Sequence, residues 1–227
     1  DYVMVSAMLI QKDSVNTILA ECNRLRKKII AGGPLFTANP EDYVSRVEYL
    51  ILNEAESTLA AFLEDLKNGT ARKIYRSEEF PSLRNTPLPR WDLVQTKQYA
   101  NLMIQFSRGC PFNCEFCDVT SLFGHQPRIK TAEQFLQELQ AIYDTGWRGT
   151  VFIVDDNFIG NKKAIKAVLP RVISWMQDHR YPFEMLTETS INIADDDELI
   201  SLMTQAGFTN IFIGLETPNE ESLKECS

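Results

Sequence analysis

No apolar run in this 227-residue sequence approaches the roughly 18 residues of a membrane-spanning helix. The first residues also lack the basic stretch and hydrophobic segment of a secretory signal, so a cytoplasmic protein with no membrane span is expected. Positive charge is in deficit. With 23 Lys and Arg against 31 Asp and Glu, the formal charge is −8, which speaks against a nucleic-acid partner, since phosphates require clustered cations. A small-molecule partner is expected instead. There is no internal repeat and no low-complexity tract. Cysteine is sparse and odd in number, five in all, and three of the five crowd into residues 110–117. That distribution suits metal ligation in a reducing compartment better than a disulfide framework. What is present is ample apolar matter: 44% of the residues are hydrophobic, enough for one large core or two modest ones.

The pattern alternates between strand and helix. An apolar run at residues 2–8 precedes a helical stripe of Val15, Ile18, Leu19, Cys22 and Leu25. A second strand, Lys28–Ala31, ends at Gly32-Gly33-Pro34, where paired glycines permit a tight turn or a close approach to a ligand. Tyr49–Leu52 forms a third strand, and Leu59, Phe62, Leu63 and Leu66 form a stripe stopped by Gly69. This predicts a parallel, doubly wound sheet over residues 1–69, with ligands at the carboxyl ends of its strands. Periodicity fails over 70–98, where Pro81, Pro87 and Pro89 fall among charges, and a linker is expected. From 99 to 227 four βα units follow one another, resembling the first half of a (β/α) barrel. Within them Thr131 and Gln134 form a capping box, Gly146 closes the same helix, and Pro170 predicts a break or kink in the next. The strand-like start and a new helix signal at Thr217-Pro-Asn-Glu220 suggest a chain lacking both natural ends.

The chemistry gathers in Phe106-Ser-Arg-Gly-Cys110-Pro-Phe-Asn-Cys114-Glu-Phe-Cys117, directly after the first strand of the second half. Three thiolates at this spacing can wrap three corners of a cubane cluster and leave one iron open. Zinc held by the three thiols and His125, or simple packing, are the alternatives. Cys22 lies on an apolar helical face, where packing explains it.

The sequence resembles the radical S-adenosylmethionine (SAM) superfamily, whose Cys-x3-Cys-x-aromatic-Cys signature is matched by Cys110, Cys114, Phe116 and Cys117. The resemblance implies a [4Fe–4S] cluster on those cysteines, SAM on the open iron, and reductive cleavage of SAM to a 5′-deoxyadenosyl radical. It further implies an electron donor such as flavodoxin or ferredoxin. In place of the family's usual Gly-Gly-Glu, the second strand ends in Asp155-Asp156-Asn157, similar to the variant of cobalamin-dependent members. These residues are SAM-contact candidates or an acidic N-cap for the next helix. Glu188 and Ser190, after the third strand, face either the SAM pocket or solvent. Glu216, on the fourth, resembles the ribose contact, or else sits near a helix start where the macrodipole favours it.

Residues 1–69 resemble part of the cobalamin-binding domain fused ahead of many such enzymes, through Val5-Ser-Ala-Met8, Ala31-Gly-Gly-Pro-Leu-Phe-Thr37 and Asn53-Glu-Ala-Glu56. Gly32 and Gly33 would then admit the cobalamin nucleotide tail. The Asp-x-His-x-x-Gly cobalt-ligand motif is absent. The expected activity is cobalamin-dependent methyl transfer to an unactivated carbon. The rivals are radical SAM chemistry without methylation on a scaffold-only first domain, and a zinc-stabilised module without catalysis.

Overall fold

In the computed structural model, which describes residues 1–225, the chain divides into two units, Asp1–Pro81 and Ser82–Ser227. Cys226, for which the sequence offers no partner, lies outside the described residues. The first unit comprises β1 (Tyr2–Ser6), α1 (Lys12–Arg24), β2 (Lys28–Gly32), α2 (Pro34–Ala38), α3 (Pro40–Tyr43), β3 (Tyr49–Leu52), α4 (Leu59–Asn68) and β4 (Ile74–Arg76). Its four strands are all parallel. Alternation along them buries both faces. Ile29, Ala31, Leu50 and Leu52 join Val15, Leu19 and Cys22 of α1 in one core, whereas Ile30 and Ile51 join Phe62 and Tyr75 in another.

Several expectations are amended here. The sheet is covered on both faces, as double winding requires, but its order is β1-β2-β3-β4. With no reversal of strand order, the described residues hold no switch-point crevice. Tyr2 and Met4 are exposed, because β1 is an edge strand. The stripe of α1 is narrower than its sequence pattern, since Ile18 and Leu25 are exposed, as is Leu63 on α4. Gly69 does stop α4, at φ +71. The expected linker is divided. Ile74–Arg76 adds a fourth strand beside β3, and the Tyr75 hydroxyl donates to Asp65 at 2.6 Å. Residues 82–98 belong to the second unit, where Leu83 is buried.

That second unit holds β5 (Asn101–Ile104), β6 (Ser107–Arg108), α5 (Val119–Phe123), β7 (Arg128–Ile129), α6 (Ala132–Asp144), β8 (Thr150–Ile153), α7 (Lys162–Asp178), β9 (Glu184–Glu188), α8 (Asp197–Gln205), β10 (Phe208–Phe212) and α9 (Glu220–Glu225). A parallel sheet runs β10-β9-β8-β5, and β6 pairs with β7 in a short antiparallel ladder. Leu102, Ile104, Val151, Ile153 and Met185 on one sheet face pack against Phe135, Leu139, Ile142, Leu169, Val172 and Met176 of α6 and α7. Met103, on the other face, is exposed.

The capping box at Thr131 forms in both directions. The Gln134 amide also donates to the carbonyls of Leu83 and Arg84, both at 3.0 Å, which ties the preceding segment to α6. Pro170 does not break α7, which runs unbroken from Lys162 to Asp178. Buried residues on both sides of the proline, Ile165, Leu169, Val172 and Met176, each contribute about 1.5–3 kcal/mol of burial. Together they exceed the proline penalty of about 3 kcal/mol. Strand β10 ends at Phe212, with an irregularity between Phe208 and Asn210. Glu216 therefore falls beyond the strand end. Among the described residues, no helix is long and apolar enough to cross a membrane.

Candidate functional site

The cysteine loop hangs from a rigid base. Phe106, fully buried, packs edge-on against Phe135 and Phe158 with ring centroids 5.2 and 6.1 Å away. The β6–β7 ladder then closes the loop that carries Cys110, Cys114 and Cys117, all three half-buried. Gly109 makes the closure possible. It adopts φ +95, and a Cβ there would lie 2.8 Å from the Gly124 carbonyl oxygen, 3.0 Å from that of Phe123 and 3.1 Å from that of Gln126. No L side chain fits such a cradle. Sequence reading missed this residue, although a glycine directly before the first cysteine was a visible signal.

The Cys110 backbone N–H donates to the Gly124 carbonyl at 3.3 Å, and that of Cys117 to the Cys114 carbonyl at 3.0 Å. Burial pushes the Cys110 thiol up from its ordinary pKa, while hydrogen bonds from the Phe112 backbone and the Asn157 side chain pull it down. Those donors are the polar environment a thiolate ligand needs.

Opposite the loop, the exit of β8 sorts its three polar residues into different jobs. Asp155 is 1% exposed, and both its oxygens are engaged. Oδ1 accepts from the Phe106 N–H at 2.7 Å, and Oδ2 accepts from the Ser107 N–H at 2.7 Å and its hydroxyl at 2.6 Å. Burial pushes this carboxyl up to about 7, with the Ser107 and Phe106 donors opposing the shift. Both oxygens of Asp155 are thus turned inward, onto the base of the cysteine loop.

Asp156 differs. It lies within electrostatic reach of the Gly109 backbone, yet its Oδ2 is buried without a hydrogen-bond partner. Burial raises its pKa, with the charge of Arg108 opposing.

Asn157 is buried and interlocked with Ser190. Its Nδ2 lies 3.1 Å from Ser190 Oγ, and its Oδ1 accepts from the Ser190 N–H at 3.3 Å. The Ser190 hydroxyl also donates to Asn192 at 2.7 Å. Glu188 is raised by burial and then by the Asp156 charge. The Phe158 N–H donates to its carbonyl at 3.0 Å.

The structure thus brings Cys110, Cys117, Asp156, Asn157, Glu188 and Ser190 to one end of the sheet. Three others stand apart from this group. Glu216 is exposed in a left-handed conformation, φ +56, past β10. His125 is exposed, while His179 stacks on Trp175, with ring centroids 4.1 Å apart. Among the described residues, no three His, Cys, Asp or Glu side chains converge tightly enough to hold one metal ion. A cubane asks less, since each thiolate binds its own iron.

Residues 104–227 match the family described as the Radical SAM superfamily. The chain belongs to the radical SAM superfamily. The chain is 44% identical to an uncharacterized methyltransferase of Synechocystis sp., over 99% of this chain and 42% of that protein. It is 36% identical to the hopanoid C-2 methylase of Rhodopseudomonas palustris, over 99% of this chain and 43% of that one. The fold resembles that of the radical SAM methyltransferase TsrM from Kitasatospora setae. The TM-score is 0.78 at 15% identity for the complex with tryptophan and a SAM analogue, covering 97% of this chain and 49% of that one. It is 0.76 for the structure with cobalamin and a [4Fe–4S] cluster bound. The chain spans less than half the length of these two curated relatives and about half of the solved chains.

Radical SAM membership implies a [4Fe–4S] cluster and SAM, and the site fits both. Three thiols share one loop, donors reach Cys110, and Asp156 presents a buried acceptor with no partner beside them.

In the first unit, Gly32 and Gly33 have an internal explanation. A Cβ on Gly32 would lie 2.6 Å from the Ile51 carbonyl oxygen, and one on Gly33, at φ +90, would lie 2.7 Å from Ser6 Oγ. A valine at Gly33 would therefore collide with Ser6 and crowd the Ala7 backbone, whether or not a ligand is bound. A cavity of about 220 Å³ does open beside them, lined by Ser6, Gly32, Gly33, Asn53 and Ala55 among others.

Proposed function

We propose that this chain carries the cofactor-binding part of a radical SAM methyltransferase, with Cys110, Cys114 and Cys117 holding a [4Fe–4S] cluster and the β8–β9 ends receiving SAM. The observation that carries the reading is the buried Asp156 oxygen without a partner, beside Cys110 and Glu188. An unsatisfied buried acceptor costs about 1–3 kcal/mol, and the ammonium of a SAM methionine moiety would relieve it. The chain's own residues bind, orient and shield. Asp156 and Glu188 present negative charge to the amino group, Phe106 and Phe158 keep the loop base dry, and Glu216, exposed past the end of β10, is free to meet the ribose of bound SAM. When bound, the cluster and SAM supply the reductive cleavage of a carbon–sulfur bond. A small electron carrier of the flavodoxin or ferredoxin type would deliver the electron, and the substrate is a small molecule.

Asp156→Asn replaces the facing charge by an amide and is expected to weaken SAM binding by about 10- to 100-fold, the effect of a charged hydrogen bond. Iron content should be unchanged. Equilibrium dialysis of labelled SAM checks this, and unchanged affinity with full iron would move the pocket elsewhere.

The first unit is read as a partial Rossmann-like domain of the cobalamin-binding type, so that methyl transfer would run through cobalamin. What supports this is the strand-end cavity beside Gly32 and Gly33. At about 220 Å³ it suits a side arm of cobalamin rather than the whole corrin. Ala55 lines the cavity and is exposed, so Ala55→Trp narrows it without disturbing the core. Dialysis against hydroxocobalamin should show retention by the wild type and less by Ala55→Trp. No retention by the wild type would leave this unit as scaffold.

A further inference from the structure

The polar run at the exit of β8 is set residue by residue against the segment that leads into the cysteine loop. Asp155 takes the backbone of Phe106 and Ser107, Asp156 lies within electrostatic reach of Gly109, and the Asn157 side chain, held by Ser190, lies within reach of the Cys110 thiol. Successive residues on one strand exit thus face successive points on the other. The orientation of the Asn157 amide is also set. A backbone N–H can only donate, so the Ser190 N–H must face Oδ1, which leaves the Nδ2 hydrogens for Ser190 Oγ and Cys110.

We propose that Asp155 and Asn157 are positioning residues for the first cluster thiolate, not SAM contacts, with Asp155 fixing the loop base and Asn157 tuning the cluster by an N–H···S bond. Of the run, Asp156 alone keeps an oxygen for a ligand. The inference rests on the cluster reading above. It adds a division of labour within three consecutive residues that their chemistry, two acids and an amide on one loop, does not disclose. The physical basis is that reduction adds an electron to a cluster held by thiolates. Hydrogen bonds to the sulfurs stabilise that extra negative charge and raise the potential.

The experiment uses the whole chain, reconstituted anaerobically with iron and sulfide. Asn157→Leu keeps the shape of the side chain and removes its donor. The variant should hold wild-type iron, show a midpoint potential shifted to more negative values, and bind SAM within about threefold of wild type, under 1 kcal/mol. Asn157→Asp, which sets an acceptor against the sulfur, should shift the potential further in the same direction.

For Asp155, the mild variant Ser107→Ala removes one of three hydrogen bonds, and Asp155→Asn disturbs the pair at Oδ2. Amide hydrogen exchange at Phe106 and Ser107 should accelerate in the order wild type, Ser107→Ala, Asp155→Asn. The half-life of the cluster against an iron chelator should fall in the same order. If Asn157→Leu keeps its potential but loses SAM affinity, Asn157 is a SAM contact and the inference fails while the cluster reading stands. If Ser107→Ala and Asp155→Asn leave exchange and chelator resistance unchanged, the role of Asp155 fails. A wild-type chain that takes up no iron overturns both the inference and the reading beneath it.

Discussion

Replacing Cys114 with alanine is expected to abolish cluster assembly. The wild-type chain should take up about four irons under anaerobic reconstitution and turn brown, whereas Cys114→Ala should remain colourless. The size of the effect follows from ligand number. In the proposed site three thiolates would be the whole protein contribution to the cubane, and the loop holds Cys114 between Cys110 and Cys117, whose backbones are already fixed to the Gly124 and Cys114 carbonyls. No other cysteine of the loop can substitute. Cys22 is buried among the apolar residues of the first unit and supplies the control, since Cys22→Ala should leave iron uptake intact. Iron and sulfide analysis decides the matter, and equal iron in wild type and Cys114→Ala would remove the loop from the site.

The second large effect concerns stability. Lys130 and Glu138 form an ion pair with side-chain exposures of 4% and 3%, directly behind the cysteine loop, since the Lys130 N–H donates to the Phe106 carbonyl at 2.9 Å. Glu138 is raised by burial, with Lys130 opposing, and its second oxygen is buried without a partner. Lys130→Met would strand this carboxylate, at a cost of about 3–5 kcal/mol. Lys130→Met combined with Glu138→Leu removes both charges and should recover most of that loss, because an apolar pair of similar volume avoids the desolvation cost.

The pH dependence has a definite sign. In the single variant Glu138 is expected to fold best protonated, so its pKa is higher folded than unfolded. The deficit is then small in acid and grows as pH rises through the folded value. Tryptophan fluorescence reads this cleanly, because Trp91, Trp147 and Trp175 all lie in the second unit. A loss under 1 kcal/mol in the single variant would show that water or rearrangement satisfies Glu138.

These two predictions draw on different depths of the sequence. The cysteine loop was legible because spacing alone brings three thiols together, and α6 was legible because its capping box is a local signal that tertiary structure had no reason to override. Strand β4 was not, since three residues among prolines and charges carry no periodicity. Its place is set by Tyr75, which packs into the second core and bonds Asp65.

The break expected at Pro170 is absent because the packed face of α7 outweighs one missing hydrogen bond. The roles of Asp155, Asp156 and Asn157 were not separable either. Which of three adjacent polar side chains turns inward depends on how the exit of β8 meets that of β5, and only the fold states it. Glu216 was placed on a strand whose irregularity at Phe208–Asn210 no pattern announced.

The central claim is that the three-cysteine loop holds a cluster with one iron open to SAM. Electron paramagnetic resonance of the reduced, reconstituted chain with and without SAM tests it most directly. The account predicts a [4Fe–4S] signal that changes on addition of SAM in the wild type, and much less in Asp156→Asn at the same SAM concentration. Stoichiometric zinc with no iron in protein isolated without oxygen, or a cluster signal indifferent to saturating SAM, would contradict it.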